Sequence, residues 1–211
     1  MDQNGTPLAL VAAYSGKTEK EVIDRLLDRD VPKQEPRQNW RMWRNYFDVG
    51  LILELPETKE VSQATTFGGE NLDHRRSRVA WLSGNEQVKA WITPYAQESA
   101  AIMGIELSGG VEVQYTEYHA SEGGKYDWHH DVDWNNTSGK DRKLSLTIQL
   151  SHPSEYDGGD FEFSEVAAIP NYAKEQGTVM VFPSYLAHRV APVTRGVRRS
   201  LVAWFDGPQW R

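Results

Sequence analysis

Cysteine is absent from this chain of 211 residues. Disulfides, thiolate metal sites and a cysteine nucleophile are therefore excluded. No apolar run approaches the roughly 20 residues that a membrane-spanning helix needs, so no membrane partner is expected. An excess of positive charge is also missing. Lys and Arg number 23 against 30 Asp and Glu, a net charge of -7, which disfavours non-specific nucleic-acid binding but permits a local basic patch. The opening residues Met1-Asp2-Gln3-Asn4-Gly5 lack the basic and apolar regions of a secretory signal. The expectation is a cytoplasmic protein, bacterial or viral-encoded, and nothing bears on its oligomeric state. No internal repeat or low-complexity segment is present. What is there is an ordinary globular composition, 39% hydrophobic and 25% charged, in a chain long enough for one substantial core.

Two regions are expected, a helical N-terminal flank and linker at 1–38 and the main domain at 39–211. Thr6-Pro7 reads as an N-cap followed by proline at the first helical position, and Gly16 can end that helix. Thr18 and Glu21 form a capping box ahead of Val22, Ile23, Leu26 and Leu27. Two short helices raise a helix-turn-helix reading, but the second is as acidic as it is basic. A flank packed on the main domain or on a partner is favoured. Pro32 and Pro36 then mark a linker. The cluster Trp40-Arg41-Met42-Trp43-Arg44-Asn45-Tyr46-Phe47 offers rings for stacking on bases. Core packing with arginine stems laid along it is the favoured alternative.

Residues 49–55 predict a strand closed by Pro56. Residues 57–78 are polar, carry Gly68-Gly69 and end in His74-Arg75-Arg76-Ser77-Arg78. Such a segment is either a solvated loop or one that grips a substrate. Ser83 and Glu86 predict a second capping box. The helix behind it, about 86–104, carries an apolar stripe of Val88, Trp91, Ile92, Tyr95, Ile102 and Met103, with Pro94 marking a kink or a later start. From residue 111 the hydrophobic period changes to two. Strands are predicted at 111–118, 125–131, 144–150, 160–163, 179–182, 186–190 and 198–205, with glycine turns at 123–124 and 158–159. Short strands at this spacing imply an antiparallel sandwich or barrel.

The chemistry concentrates in Tyr126-Asp127-Trp128-His129-His130-Asp131 and in the segment from His188 to Arg198. On a strand, His129 shares a face with Asp131, and with Asp133 beyond it, while His130 points away. Parity does not separate the two acids; spacing favours Asp131, because Asp133 falls in the following loop. His188 supplies a second imidazole. Two histidines and one carboxylate make the facial triad of non-heme Fe(II) sites. The same set also suits zinc hydrolases, which need a general base or electrophile around a metal-bound water. Here the second feature is Arg198, ten residues past His188, whose fork suits a carboxylate.

With these residues in view, the chain resembles the 2-oxoglutarate and Fe(II)-dependent oxygenases, in the prolyl 4-hydroxylase-like branch that includes the PKHD-type hydroxylases. The resemblance rests on Tyr118, Gly124, Tyr126, the run Trp128 to Asp131, Tyr156-Asp157-Gly158-Gly159-Asp160-Phe161, Val181-Phe182-Pro183, and the block His188 to Ser200. It covers about 111–206, and 78–104 loosely. It implies a mainly β fold with flanking helices around a double-stranded β-helix, a jelly-roll of the cupin kind. It further implies that His129, Asp131 and His188 hold Fe(II), and that Arg198 pairs with the distal carboxylate of 2-oxoglutarate. Tyr118 would lie near that co-substrate, with Thr147 or Gln149 adding a hydrogen bond. O2 would be consumed and succinate and CO2 released, with ascorbate a candidate reductant. The implied reaction is hydroxylation of a C–H bond, foremost of proline in a protein or peptide. Trp134, Arg75, Arg76, Arg78 and Trp204 are the candidate substrate contacts, a core position being the favoured reading of Trp204. The rival readings are an oxygenase of a nucleobase or small metabolite, a jelly-roll binding module without catalysis, and a nucleic-acid-binding protein using the Trp40 to Phe47 cluster.

Overall fold

Alternation along three central strands builds the fold. In the computed structural model, which describes residues 18, 39–65, 71–166 and 169–211, Leu144, Leu146 and Ile148 are fully buried on one face of β7 (Lys140–Gln149). Leu201, Ala203 and Phe205 do the same on β12 (Val193–Pro208), and Val113 and Tyr115 on β5 (Val111–His119). These faces form one core with Val88, Ile92, Ala96 and Ala100, the inner stripe of a helix at Glu86–Met103. The intervening residues Ser145, Thr147, Arg198, Ser200, Val202, Gln114 and Tyr118 point the other way. All of these but Ser145 line one cavity.

The strands form two antiparallel sheets. Before β5 come β1 (Arg41–Trp43), β2 (Ser62–Gln63), β3 (Arg75–Arg76) and β4 (Arg78–Trp81). After it come β6 (Lys125–His129), β8 (Tyr156–Gly158), β9 (Phe161–Phe163), β10 (Val179–Pro183) and β11 (His188–Val190). The larger sheet runs β1-β10-β7-β12-β5-β4-β2, with β8 paired to β12; the smaller runs β3-β6-β11-β9. The long helix covers the outer face of the larger sheet. Met180 and Phe182 on β10 pack with Phe161 and Phe163 on β9, so aromatic contacts tie one sheet to the other. This is the two-sheet antiparallel arrangement of the double-stranded β-helix.

The strands read at 111–118, 125–131, 144–150, 160–163, 179–182, 186–190 and 198–205 are present with shifted ends. Two expectations are corrected. Residues 49–55 form no strand; Gly50–Leu53 is a short helix, α1, in which Asp48 Oδ1 accepts from Gly50 N at 3.0 Å and Ile52 alone is buried. The helix Glu86–Met103, α2, is capped by Asn85, whose side chain accepts from Val88 N at 3.1 Å. Ser83 instead exchanges hydrogen bonds with the Val113 backbone. Pro94 lies inside α2. The Trp40 to Phe47 cluster is packing: Trp43 meets Tyr95 edge-on at 5.0 Å, Trp40 packs beside Met180 and Phe182, and Arg41 pairs with Glu98. The helical reading of 1–38 and the Gly68-Gly69 segment lie outside the described residues. No helix among the described residues is long and apolar enough to cross a membrane.

Because one side-chain oxygen closes the first turn of α2, Asn85→Ala should lower stability by about 1 kcal/mol, read as a shift in denaturant midpoint with an unchanged slope.

Candidate metal centre

β6 and β11 lie side by side in the smaller sheet, and their register sets His129 directly opposite His188. The two rings are 4.2 Å apart. Asp131 follows β6 by two residues, held by its backbone N–H donating to Ser184 O at 3.0 Å. His129 Nε2 lies 3.6 Å from Asp131 Oδ1, and His188 Nε2 3.5 Å from Asp131 Oδ2. One ligand atom from each of the three residues falls within 4.8 Å of the others. Asp133 takes no part: its Oδ1 accepts from Asn135 N in the loop beyond. His130 turns outward, with Nδ1 against Tyr185 O at 2.6 Å.

Both imidazoles are set by the same local device. His129 Nδ1 lies 2.7 Å from Asp127 O and His188 Nδ1 2.8 Å from Leu186 O. A ring nitrogen facing a carbonyl carries the hydrogen, so Nε2 is the nitrogen that the neutral form of each ring offers as a ligand. Tyr126 stacks on His129 at 3.5 Å and 13°, while Phe182 and Phe161 flank His188 at 4.9 and 5.3 Å. These contacts lock the rings. Burial, and then the neighbouring His188, push the His129 pKa down to about 3. Burial alone would raise the pKa of Asp131. The two imidazoles and the Ser145 hydroxyl, donating to Oδ2 at 2.6 Å, outweigh it and hold the carboxyl below its ordinary range. A neutral His129 imidazole beside an anionic carboxylate is a protonation state that metal ligation requires.

Arg198, on the larger sheet, lines the same cavity and is 4% exposed. Its guanidinium makes no ion pair or hydrogen bond with any described residue; its recorded contact is the Tyr118 ring at 5.6 Å. A buried cation without a partner is costly and marks the place of an anionic ligand. Gly159, at φ +61, lets the arginine pass: a Cβ there would lie 2.9 Å from Arg198 Cδ. Burial raises the Tyr118 pKa, so the phenol stays protonated, and its hydroxyl has no hydrogen-bond partner among the described residues. Thr147 lines the cavity; Gln149 donates to Tyr156 Oη at 3.2 Å and lies in a neighbouring recess that reaches the other side of Arg198.

The candidate substrate contacts divide. Arg75 and Trp204 line the metal cavity and a second cavity adjoining it, where Trp81 and Arg142 complete the wall. Arg76 donates to Leu72 O, Arg78 pairs with Glu122, and Trp134 stands 61% exposed; none of the three lines either cavity. Ser145 and Ser184, hydrogen-bonded to one another at 2.9 Å behind Asp131, are supports that the sequence reading missed. The signal for Ser145 was present, since it shares the polar face of β7 with Thr147 and Gln149.

The jelly-roll agrees with what comparison with known proteins finds. Residues 113–206 match the family model of the 2OG-Fe(II) oxygenase superfamily. Within it the chain is similar to PKHD-type hydroxylases and to the fold of prolyl hydroxylases. It is 35% identical over 85 residues to a PKHD-type hydroxylase of Synechococcus sp. (strain CC9311), an alignment spanning 40% of this chain and 37% of that relative. The viral collagen prolyl hydroxylase of Paramecium bursaria Chlorella virus-1, solved as a 2OG complex, superposes with a TM-score of 0.60 at 19% identity, over 81% of this chain and 97% of the other. A Trichoplax adhaerens prolyl hydroxylase, solved with a peptide fragment of the hypoxia inducible factor oxygen degradation domain, gives 0.62 at 17%, over 90% and 93%.

Removing the hydroxyl that steadies the carboxylate, by Ser145→Ala, should weaken Fe(II) binding about 10- to 100-fold in an anaerobic titration. Acidification should also destabilise the metal-free protein. Below its unfolded pKa of about 6.5, His129 takes up a proton in the unfolded chain but not in the folded one, down to about 3. Its contribution is therefore complete above about pH 6.5 and is lost on going down, by at most about 1.4 kcal/mol per pH unit. The depressed Asp131 adds a loss in the same direction below the ordinary carboxylate range. Denaturant midpoints between pH 7 and pH 4 should fall, and His129→Gln should flatten the slope.

Proposed function

We propose that this protein is an Fe(II)- and 2-oxoglutarate-dependent hydroxylase, acting on a C–H bond of a protein or peptide and foremost on a prolyl residue. The observation that carries the reading is Arg198: a buried cation without a counter-ion among the described residues, sharing a cavity with two imidazoles and a carboxylate. A metal site alone would leave that arginine unexplained. A dicarboxylate co-substrate with one end on the metal and the other on Arg198 satisfies it.

In this reading His129, Asp131 and His188 hold Fe(II) through two nitrogens and one oxygen, which leaves coordination positions free for other ligands. When bound, Fe(II) and 2-oxoglutarate supply oxidative decarboxylation to succinate and CO2, coupled to hydroxylation of the substrate by O2. The chain supplies orientation and dryness. Arg198 receives the distal carboxylate, and Tyr118, whose ring lies beside that guanidinium, offers a neutral hydroxyl. Phe182, Phe161, Val190, Val202 and Trp204 wall the cavity with apolar surface and exclude water from the reacting centre. No side chain has to act as general acid or base.

The choice of a protein or peptide substrate draws on the proteins that share the fold, among them one solved with a peptide. A nucleobase or small-metabolite oxygenase uses the same centre and is the second reading. A binding module without catalysis would be free to lose a ligand or the arginine, and His129, Asp131, His188 and Arg198 all stand.

Under anaerobic conditions, Fe(II) added to the protein with 2-oxoglutarate should give the visible charge-transfer band of the chelate. His188→Ala should abolish it, and Arg198→Ala should raise the 2-oxoglutarate concentration needed for it at least 10-fold, in keeping with the loss of one charge-assisted pair. A folded protein that gives no band removes the oxygenase reading. Stimulation of 2-oxoglutarate turnover by prolyl peptides, compared with single-stranded DNA or RNA, then separates the two substrate classes.

A further inference from the structure

We propose that Arg75 forms an anion subsite beside the metal centre, and that the substrate places a carboxylate on it. This rests on the hydroxylase reading and narrows its substrate class.

Arg75 is 7% exposed, yet every partner it has is neutral. Nε donates to Ser77 Oγ at 2.8 Å, Nη1 to Thr65 O at 3.3 Å and Nη2 to Gln114 Oε1 at 2.8 Å. No carboxylate among the described residues pairs with it. A guanidinium carries five N–H groups in a rigid fork, so these three bonds hold it in place and leave two donors without a partner among the described residues. Its guanidinium carbon lies 4.5 Å from the centre of the Tyr126 ring, and that ring stacks on His129 at 3.5 Å. The charge is therefore one aromatic ring away from a metal ligand.

The cavity next to the metal carries a second unmet donor. Trp204 Nε1 is buried without a hydrogen-bond partner, and Trp204 lines the same two cavities as Arg75. An orphaned buried N–H is rare enough to call for a ligand. Arg142, on the far wall, is already committed to Glu112 at 2.6 Å and to the Trp204 ring at 4.0 Å.

Charge counting gives the same answer. Arg75 and Arg198 bring two positive charges and Asp131 one negative. Bound Fe(II) adds two positive charges and 2-oxoglutarate two negative, leaving one positive charge in a buried site. A single carboxylate on the substrate neutralises it, and its two oxygens match the fork of an arginine. That carboxylate is either the terminus of a chain or free acid, or an acidic side chain next to the hydroxylated residue.

Two matched probe pairs separate these sources: N-acetyl-L-proline with its amide, and N-acetyl-L-prolyl-L-aspartate amide with its asparagine counterpart. Each is titrated anaerobically into protein holding Fe(II) and 2-oxoglutarate, with binding read from the charge-transfer band. Tryptophan fluorescence of the metal-free protein gives a parallel reading. The expected result is that the acid of at least one pair binds 10-fold or more tighter than its neutral partner. Arg75→Gln should erase that preference and leave the 2-oxoglutarate affinity unchanged, while Arg75→Lys keeps part of it. Equal binding within both pairs, or binding of no probe, overturns the proposal. So does an Arg75→Gln variant that keeps the preference but binds 2-oxoglutarate more weakly, for the arginine then serves the co-substrate. If Arg75→Gln fails to fold, the pair comparison on the unaltered protein still decides. Failure of the band with a carboxylate preference retained in fluorescence removes the hydroxylase reading and leaves the subsite; the reverse outcome removes the subsite alone.

Discussion

The direct pairing of His129 with His188 across β6 and β11 is the constraint on which the site depends. Opposed residues of an antiparallel pair sit close with side chains on one face, so the sheet itself brings two imidazoles together. Everything nearby refines that geometry. Backbone carbonyls two residues upstream turn both rings, Tyr126 and Phe182 clamp them, and Ser145 and Ser184 hold the carboxylate from behind. The apolar faces of β5, β7 and β12 under α2 make the larger sheet rigid, and its opposite face is then free to carry polar groups into the cavity.

Much of this was legible in the sequence because β-sheet structure writes itself in alternation. Leu144, Leu146, Ile148 and Leu150 against Ser145, Thr147 and Gln149 told which face was core and which was polar. Failures came where alternation is silent. Residues 49–55 have apolar content suited to a strand, but Asp48 closes a turn at Gly50 and bends the chain into a helix. The α2 cap fell to Asn85 and not Ser83, because the Val113 backbone in β5 engages the serine hydroxyl. Tertiary contacts decided both.

The candidate site was legible to a different depth. The spacing of His129, Asp131, His188 and Arg198 can be read along the chain, and the geometry gathers the first three while placing the fourth in their cavity. Arg75, Arg76 and Arg78 look alike as a basic run, yet they differ entirely in space. Arg76 and Arg78 face acids at the surface, and Arg75 turns inward. Strand parity alone would not single it out, since Arg75 and Arg76 form a two-residue edge strand whose pairing with β6 cannot be seen without the fold.

That edge position has an evolutionary reading. β3 joins the smaller sheet only through β6, and natural variation is tolerated best in segments that few others lean on. The ribbon Arg75–Arg76 is separate in the chain from the β6–β11 pairing of His129 with His188 and from the Arg198 strand. A lineage built on this frame would retain one candidate metal centre and vary what surrounds it by rewriting a peripheral ribbon, so that the two drift at separate rates.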